Sequence, residues 1–326
     1  MNDLKRKILG QLQVDLAQIE AALKDNLTPY LDLVSETARH ILFSGGKRLR
    51  PLLMILAARL CGYRGVDDKM FSCVFEYLHA ATLLHDDLVD DAELRRGKQA
   101  AHMKWGNETA VLVGDFLLAR GLSIAAKTGS LKVIEIISEI TENMSQGEIH
   151  QLQNKGNIDI SENEYLEIIR RKTAILIQGA CRVGAVIAGA DEKKEAALSS
   201  YGYHVGLAFQ MVDDLLDYLA DTQTIGKKVG ADLREGKLTL PVIVALNAAM
   251  PSDRRYMEKI IKNRAFSVEA FGKLIELLKK YGGIRYTQQL ASENIEMACR
   301  SLEVFKEGET RDLLADIARY ALARKV

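Results

Sequence analysis

Two short acidic motifs carry the residues of this chain that are best suited to chemistry. The first, Asp86–Asp91, has four aspartates within six residues and follows the largely apolar run Leu78–Leu84. The second, Asp213–Asp217, has the same Asp-Asp-x-x-Asp spacing, 127 positions later on another apolar segment. Burying carboxylates without cations is costly in free energy. The two motifs therefore predict two walls of one cavity that metal ions fill.

The spacing within each motif indicates which metal would bind. Asp86 and Asp90 are four residues apart and share one face of a helix. Hard carboxylate oxygens suit Mg²⁺, which takes one or two carboxylates, keeps water and shares phosphate oxygens. The sequence has no histidine–cysteine set that would favour zinc. The pattern thus predicts a magnesium–diphosphate bridge, with these candidate ligands: Asp86, Asp87, Asp90, Asp213, Asp214 and Asp217.

Basic residues occur at two places beside the first motif. The segment Gly45–Pro51 has Lys47, Arg48 and Arg50 at the start of a helix, where free backbone N–H groups would help to bind an anion. An exposed basic turn is the alternative. The segment Arg95–Gly97 either caps the preceding helix or provides two arginines for a diphosphate, and both roles are compatible.

Further candidates are more ambiguous when each is taken alone. His79 lies seven residues before Asp86, and is either a core histidine or part of the charged cavity. The loop 224–237 is rich in glycine and lysine, and would be either a lid over phosphate or an exposed basic loop. Its candidate cations are Lys227 and Lys237.

Composition narrows the class of protein. The chain has 326 residues, is 48% hydrophobic and 27% charged, and has no net charge, so no nucleic-acid partner is expected. Its four cysteines are far apart, which favours reduced thiols in a cytoplasmic protein. We expect no signal peptide and no membrane span, since no charge-free apolar stretch is long enough. The absence of Walker and GxGxxG motifs argues against a nucleotide.

Apolar periodicity predicts helices along the chain, and four prolines leave room for long ones. We predict one all-α domain over residues 1–326, with roughly a dozen helices around a central apolar cavity and no strands. Ser161 and Glu164 form a candidate capping box. The predicted helices include 3–24, a second one from Pro29 to about Ser44, 67–92, 107–127, 131–153, 161–189 and 192–221.

The ordered motifs resemble the trans-isoprenyl diphosphate synthase family. The matching strings are Gly45–Pro51, the first acidic motif with Arg95–Gly97, Lys172–Thr173, Phe209–Asp217 and Gly236–Lys237. They span about residues 45–241, and the flanking helices fit too, so the resemblance covers nearly the whole chain. It implies the helical fold of isoprenoid synthases and a magnesium-dependent prenyltransferase. It also implies a role for each matching residue.

By this resemblance, Asp86 and Asp90, with Asp213 opposite, would hold Mg²⁺ on an allylic diphosphate. Three ions are expected, with Mn²⁺ as a substitute, and the remaining motif aspartates would support them. Lys172, Thr173 and Gln210 are the catalytic candidates, of which the last two would shield the allylic cation. Arg95, Lys172 and Lys227 would complete the diphosphate clamp. Isopentenyl diphosphate would bind Lys47, Arg50, His79 and Arg96, and Lys237 is a further substrate-binding candidate.

Helix geometry predicts how the product length is set. One helical turn is about 5.4 Å, similar to one isoprene unit, so residues before Asp86 would meet the growing tail. Thr82, Ala81 and Leu78 are small or aliphatic where short-chain members have a bulky aromatic, which indicates a long product. The string Tyr77–Leu84 resembles the octaprenyl-forming members of the family, which implies a C40 product for quinone side chains. Ile137 is a candidate for a deeper floor. If Tyr77 points inward, the product would instead be C15 to C20.

Three kinds of function are considered for a protein with these motifs. Chain elongation by a homodimer fits all the motifs. A terpene cyclase or head-to-head synthase would need no isopentenyl diphosphate site, so Gly45–Arg50 and Arg95–Arg96 argue against it. A regulatory subunit would tend to lose motif aspartates, and both motifs are intact. The catalytic half of a heteromeric heptaprenyl-type synthase stays open. The product could be handed to a membrane, and Arg324–Lys325 would either close over the site or stay solvated.

Overall fold

The structure is a computed structural model that describes residues 2–219, 230–263 and 265–323. It is an all-α protein, as predicted. The first part of the chain forms these helices: α1 Asn2–Asp25, α2 Asp32–Leu42, α3 Leu49–Leu60, α4 Asp68–Val89, α5 Ala101–Trp105, α6 Asn107–Ala126 and α7 Leu131–Gln153. The second part forms α8 Glu162–Ile169, α9 Ile175–Ile187, α10 Glu192–Leu219, α11 Ala231–Arg234, α12 Leu240–Ala248, α13 Pro251–Lys262, α14 Val268–Lys280, α15 Gly283–Ser301 and α16 Glu309–Leu322.

The contacts divide the chain into two compact units. The first comprises residues 1–141, 176–202 and 302–314, and the second comprises 142–175, 203–301 and 315–326. Helices α7, α9 and α10 each contribute to both units. The prediction of a single domain stays a prediction. Each acidic motif lies in a different unit, and each is therefore described within its own unit.

In the first unit, α4 packs against α6, α3, α1 and α2. A glycine of α6 allows its close approach to α4. Gly114 lies against the His85 ring, where a Cβ atom would collide, whereas a Cβ atom at Gly121 would make ordinary contact with Leu78. The spacing of seven residues puts both glycines on one face of α6. Close packing on α6 thus fixes the rotation of the helix that carries the first acidic motif.

In the second unit, the apolar helix α12 packs against α15, α14 and α8. Gly283 at the start of α15 lies against the carbonyl of Pro241, so any side chain there would collide with backbone. The predicted continuous helix 161–189 is wrong in its middle, because Arg170–Ala174 form a π-helical turn between α8 and α9. Such a turn changes the direction of the side chains that follow it.

A short β-hairpin interrupts the helices after the first acidic motif. Strands β1 Leu94–Arg95 and β2 Lys98–Gln99 pair antiparallel, so the prediction of no strands is wrong here. Arg96 and Gly97, with φ of 52° and 76°, form the tight turn. Because α4 ends at Val89 and Asp90 is its cap, Arg95–Gly97 do not cap the helix. That interpretation was wrong.

Other helix boundaries show which local signals were reliable. The Ser161–Glu164 capping box is present in both directions, as predicted. Pro51 lies in the first turn of α3, also as predicted. Helix α2 begins at Asp32 and not at Pro29, so that boundary was wrong by three residues.

One described helix is long and apolar enough to cross a membrane by length and composition. This helix is α6, and 39% of its most apolar 18-residue stretch is buried. It carries Asp115 and Arg120, so it is not free of charge. A core helix of a globular protein passes the same test, so the observation is weak evidence for a membrane span.

Candidate active site

The first acidic motif ends helix α4. The N–H of Asp90 donates to the Asp86 carbonyl over 2.8 Å, which closes the last helical turn. Both side chains are half-buried and, being four residues apart, lie on one face as predicted. The helix therefore presents two carboxylates from adjacent turns at its C-terminal end.

Asp87 has a different environment from its neighbours. It is 1% exposed, and its Oδ1 accepts a hydrogen bond from Arg95 Nε over 2.7 Å. Arg95 comes from the hairpin, so this ion pair ties β1 to α4. Within the described part of the chain, Asp87 Oδ2 accepts no hydrogen bond. Asp87 thus positions Arg95, which is one of the predicted diphosphate ligands.

A cluster of cations surrounds His79 on α4. Burial holds the pKa of His79 well below its usual value of 6.5, and the positive charges of nearby arginines lower it further. The structure thereby brings together predicted anion-binding side chains from α3, α4 and the hairpin. The arginines that act on His79 are Arg50, Arg96, Arg95 and Arg48.

Arg96 joins this cluster to the glycine loop before α3. Its guanidinium donates to the Gly45 carbonyl and lies next to Gly46, where a Cβ atom would crowd it. Burial lowers the pKa of Arg96, and the nearby positive charges of Arg48 and Arg95 act in the same direction. Lys47, on the same loop, is exposed. The glycine loop and the hairpin are therefore held together, and several arginine side chains lie near this contact.

Arg48 does not bind an anion in the way its place in the basic string predicted. It is 4% exposed and has φ of 49°, a left-handed conformation that turns its side chain inward. Its guanidinium donates over 2.6 Å to each of Glu20, Glu76 and the Leu42 carbonyl. Burial alone would lower the pKa of Arg48, but the two glutamates raise it. Arg48 anchors the loop, because its donors are already satisfied.

The residues before Asp86 divide between two faces of α4. Thr82 and Leu78 are four and eight residues before Asp86 and share its face, whereas Ala81 is fully buried to one side. The Tyr77 hydroxyl donates to the Leu23 carbonyl of α1 over 2.7 Å. Tyr77 therefore points away from the face of Asp86, and it does not provide the early floor that would limit the product to C20.

Two residues on the face of Asp86 were missed by the sequence reasoning. Phe75 is eleven residues before Asp86, about 16 Å along the helix, and Phe71 is one turn further. Both line a narrow apolar gap together with Ile137 of α7. Helical spacing alone could have identified both. The structure thus places the predicted deep-floor residue Ile137 beside them.

The second acidic motif lies on α10, where Asp214 is 4% exposed. The Tyr165 hydroxyl donates to its Oδ2 over 2.6 Å, and Gln210 Nε2 donates to its Oδ1 over 2.7 Å. Burial raises the pKa of Asp214 to about 7, and the charges of Asp213 and Asp217 also raise it. Tyr165 was missed by the sequence reasoning, because no local pattern links it to the motif.

Asp217 organises the segment that follows the motif. Its two carboxylate oxygens accept the backbone N–H groups of Ala231 and Asp232, over 3.0 and 3.1 Å, at the start of α11. Burial raises the pKa of Asp232 well above its usual value, and the charges of Asp214 and Asp217 add to this. Asp232 was also missed. The signal was the acidic residue Asp232 in the glycine- and lysine-rich loop 224–237, whose other acidic residue is Glu235.

Lys172 and Thr173 lie on the π-helical turn, which is wedged between two glycines. Gly147 of α7 lies against the Lys172 backbone, and Gly206 of α10 lies against Ala174, so a Cβ atom at either glycine would collide. Lys172 Nζ forms an ion pair with Glu148 and donates to Gln151 over 2.8 Å, and Thr173 Oγ1 donates to Gln210 Oε1 over 2.9 Å. The turn therefore connects Thr173 to the second motif.

The remaining basic candidates lie near or beyond the described segments. Lys237 Nζ donates to Glu235 over 2.6 Å, and its backbone N–H donates to the Asp232 carbonyl over 2.8 Å. The predicted lid residue Lys227 lies outside the described residues, as does the terminal pair Arg324–Lys325.

The donor chemistry of both motifs fits Mg²⁺. The candidate ligands are carboxylates, and the half-buried Asp86, Asp90 and Asp213 keep part of their surface accessible. Over residues 2–219, 230–263 and 265–323, no group of three acidic, histidine or cysteine side chains could hold a metal by itself.

Comparisons with known proteins agree on one family. The family described as polyprenyl synthetase matches residues 31–278. Over 312 residues the chain is 38% identical to an octaprenyl diphosphate synthase of Escherichia coli, covering 95% of this chain and 96% of that protein. Over 327 residues it is 36% identical to heptaprenyl diphosphate synthase component 2 of Bacillus subtilis, covering 100% and 92%. A crystal structure of a polyprenyl synthase from Caulobacter crescentus, complexed with calcium and isoprenyl diphosphate, has a TM-score of 0.92 and 38% identity over 98% of each chain.

Proposed function

The chain belongs to the polyprenyl synthetase family and is a long-chain trans-prenyltransferase, and we propose that its product is octaprenyl diphosphate (C40). In this proposal it condenses isopentenyl diphosphate repeatedly with an allylic diphosphate such as farnesyl diphosphate. The E. coli relative is named for the octaprenyl product. A quinone side chain is the proposed use of that product.

The cation cluster around His79 is the observation that carries this proposal. The positive charges of Arg50, Arg95 and Arg96 act on His79, which lies on the same helix as Asp86 and has a lowered pKa. Chain elongation needs such a site for isopentenyl diphosphate. A terpene cyclase or head-to-head synthase does not need it, because it binds no isopentenyl diphosphate. We propose that isopentenyl diphosphate binds Lys47, Arg50, His79 and Arg96. The anchored Arg48 keeps the glycine loop in place for this binding.

The carboxylates Asp86, Asp90 and Asp213 would hold Mg²⁺, with three ions and Mn²⁺ as a substitute. The metal would supply Lewis-acid stabilisation of the leaving diphosphate. The calcium in the Caulobacter relative supports a divalent ion with isoprenyl diphosphate. Asp87, Asp214 and Asp217 would support the ligands indirectly, since each is already engaged by Arg95, by Tyr165 and Gln210, or by the start of α11.

The other predicted residues would act on the allylic substrate. Arg95 and Lys172 would bind its diphosphate, with Lys227 and Lys237 as further cations. Thr173 and Gln210 would direct oxygen lone pairs at the allylic cation, which needs no protein nucleophile. The departing diphosphate would take the proton that restores the double bond.

We propose that a second copy of the chain covers the outer face of α6. Leu112 is 66% exposed on this helix, and Val111 and Leu122 are exposed beside it. An apolar face of this kind is typical of an interface in a homodimer. A heteromer is the second candidate, because the B. subtilis relative is named as one component of a synthase.

The working location would be the cytoplasm, with the product passed to a membrane.

The test of this function is release of diphosphate by the purified protein. Farnesyl diphosphate, isopentenyl diphosphate and Mg²⁺ are supplied together or with one omitted. We expect release only when all three are present. Release from farnesyl diphosphate and Mg²⁺ alone would contradict chain elongation and indicate cyclisation or coupling. No release until a second, different subunit is added would indicate the heteromer.

A further inference from the structure

Tyr165 ends a continuous hydrogen-bond chain in the second unit that reaches Thr173. The Tyr165 hydroxyl and Gln210 Nε2 donate to the two oxygens of Asp214, over 2.6 and 2.7 Å. The Thr173 hydroxyl donates to Gln210 Oε1 over 2.9 Å. Four side chains from α8, the π-helical turn and α10 are thus joined. Tyr165 is at one end of this series of hydrogen bonds, and Thr173 is at the other.

The ionised form of Asp214 sets the direction of these hydrogen bonds. A carboxylate only accepts, so Gln210 then presents its NH₂ group to Asp214 Oδ1 and its carbonyl to Thr173. Thr173 must then donate its one hydroxyl proton to Gln210. Its oxygen lone pairs are the part of the group left to face another charge. This polarity suits positive charge that develops on a carbon atom.

We propose that Tyr165 is a positioning residue for ionisation of the allylic diphosphate, acting through Asp214 and Gln210 on Thr173. The inference rests on the proposed function. In that step the allylic C–O bond breaks, its electron pair leaves with the diphosphate oxygen, and positive charge remains on the allylic carbon. Tyr165 is 3% exposed, so it acts through Asp214.

The burial of Asp214 explains why Tyr165 matters. Asp214 lies beside Asp213 and Asp217, and its two donors each satisfy one carboxylate oxygen. Removing the Tyr165 hydroxyl leaves one buried oxygen of Asp214 without its donor, which is unfavourable. The carboxylate then turns towards its remaining donor, Gln210. This rotation moves the Gln210 amide and with it the Thr173 hydroxyl.

The kinetic test compares two buried tyrosines. Tyr165→Phe removes the hydroxyl on Asp214, and Tyr201→Phe removes one that donates to the Leu314 carbonyl over 2.8 Å in the first unit. We expect Tyr165→Phe to lower kcat about 10- to 100-fold, with KM for both diphosphates changed less than about threefold. Tyr201→Phe should lose similar thermal stability and keep kcat within about twofold. Equal kcat losses in the two variants would overturn the proposal.

A double-mutant cycle tests whether the effect passes through Gln210. In a Gln210→Ala background, Tyr165→Phe should lower kcat by less than about threefold further. Full additivity of the two kcat losses would mean that Tyr165 acts by another route, and the proposal would be wrong.

A readout that needs no catalysis separates this inference from the proposed function. In protein labelled with ¹⁵N-glutamine, the Gln210 side-chain NH₂ signal is assigned by its loss in Gln210→Ala. We expect this signal to shift in Tyr165→Phe and to stay in place in Tyr201→Phe. An unchanged signal would overturn the role of Tyr165 even in an active enzyme. If the wild type makes no prenyl product, the proposed function fails, and the NMR signal still decides whether Tyr165 orients Gln210.

Discussion

The two acidic motifs have the same spacing but opposite electrostatic surroundings. At the first motif, Asp87 is paired with Arg95, and His79 lies among arginines. At the second, Asp214 is held by the neutral donors Tyr165 and Gln210 and has other aspartates nearby. The second aspartate of one motif is therefore paired with a cation, and that of the other motif with two neutral donors.

This difference indicates a division of labour that the spacing alone does not show. In the proposed function, the first motif lies beside the site for a second anionic substrate, because the positive charges of several arginines act on His79. At the second motif, a divalent cation would relieve the repulsion by which Asp213 and Asp217 raise the pKa of Asp214. In both motifs the second aspartate is committed to an internal partner, and Asp217 binds the start of α11, so Asp86, Asp90 and Asp213 are the candidates for metal.

The largest expected effect comes from removing one half-buried aspartate in either region. Asp86→Ala and Asp213→Ala should each lower kcat about 10³-fold, since stabilisation of the leaving diphosphate is lost. Steady-state kinetics with Mg²⁺ checks this. The control Asp91→Asn changes an exposed aspartate with φ of 50°, a conformation that asparagine tolerates. Near-normal turnover of Asp86→Ala or Asp213→Ala would refute the metal assignment.

The next prediction concerns product length. Only the region of the first acidic motif includes the face of α4 that would contact the growing prenyl chain. Thr82→Tyr places an aromatic one turn before Asp86 and should shorten the product towards C15–C20. Tyr77→Phe is the matched control. Its hydroxyl bonds to α1, so this change should leave product length unaltered. A C40 product from Thr82→Tyr would disprove the tunnel argument.

A smaller effect concerns stability and compares the second aspartates directly. Asp87→Asn removes the charge that Arg95 binds and should lower the free energy of unfolding by about 2 kcal/mol. Asp214→Asn also relieves repulsion among carboxylates, so at pH 8 without metal its change should stay within about 1 kcal/mol. Urea unfolding measures both. Equal losses would mean that the two surroundings do not differ as described.

The smallest effect is a pair of opposite pH dependences in the metal-free protein. The pKa of His79 is held below 6.5, so the unfolded chain binds a proton that the folded chain does not, and stability falls as pH drops below 6.5. The pKa of Asp214 is raised to about 7 from 3.8, so stability falls as pH rises between these values. Each slope is at most about 1.4 kcal/mol per pH unit.

Two variants separate these slopes. His79→Gln should flatten the loss of stability on the acid side, and Asp214→Asn should flatten the loss between pH 4 and 7. Urea unfolding at several pH values makes the measurement. If either variant keeps the wild-type slope, the surroundings of that residue are not as charged as the structure indicates.

Local periodicity was enough to predict most of the helices and the shared face of Asp86 and Asp90. The capping box at Ser161 was also predictable, since both partners lie within four residues. These features depend on contacts between residues close in one helix, so the spacing of residue types in the sequence predicts them.

The features that sequence reasoning missed depend on contacts between distant segments. The π-helical turn forms where Gly147 and Gly206 let two other helices approach it. Arg48 turns inward because Glu20 and Glu76 arrive from α1 and α4. Tyr165 precedes Asp214 by 49 residues, so their hydrogen bond has no local signature. The hairpin turn at Arg96–Gly97 did have one, since a glycine after two arginines permits a tight turn.

Product length is the most direct measure of the central claim that this chain is a long-chain prenyltransferase. Pure protein is incubated with farnesyl diphosphate, isopentenyl diphosphate and Mg²⁺, and the dephosphorylated products are separated by chromatography. The account predicts a ladder of products that ends near C40. A ladder that stops at C20 would contradict it.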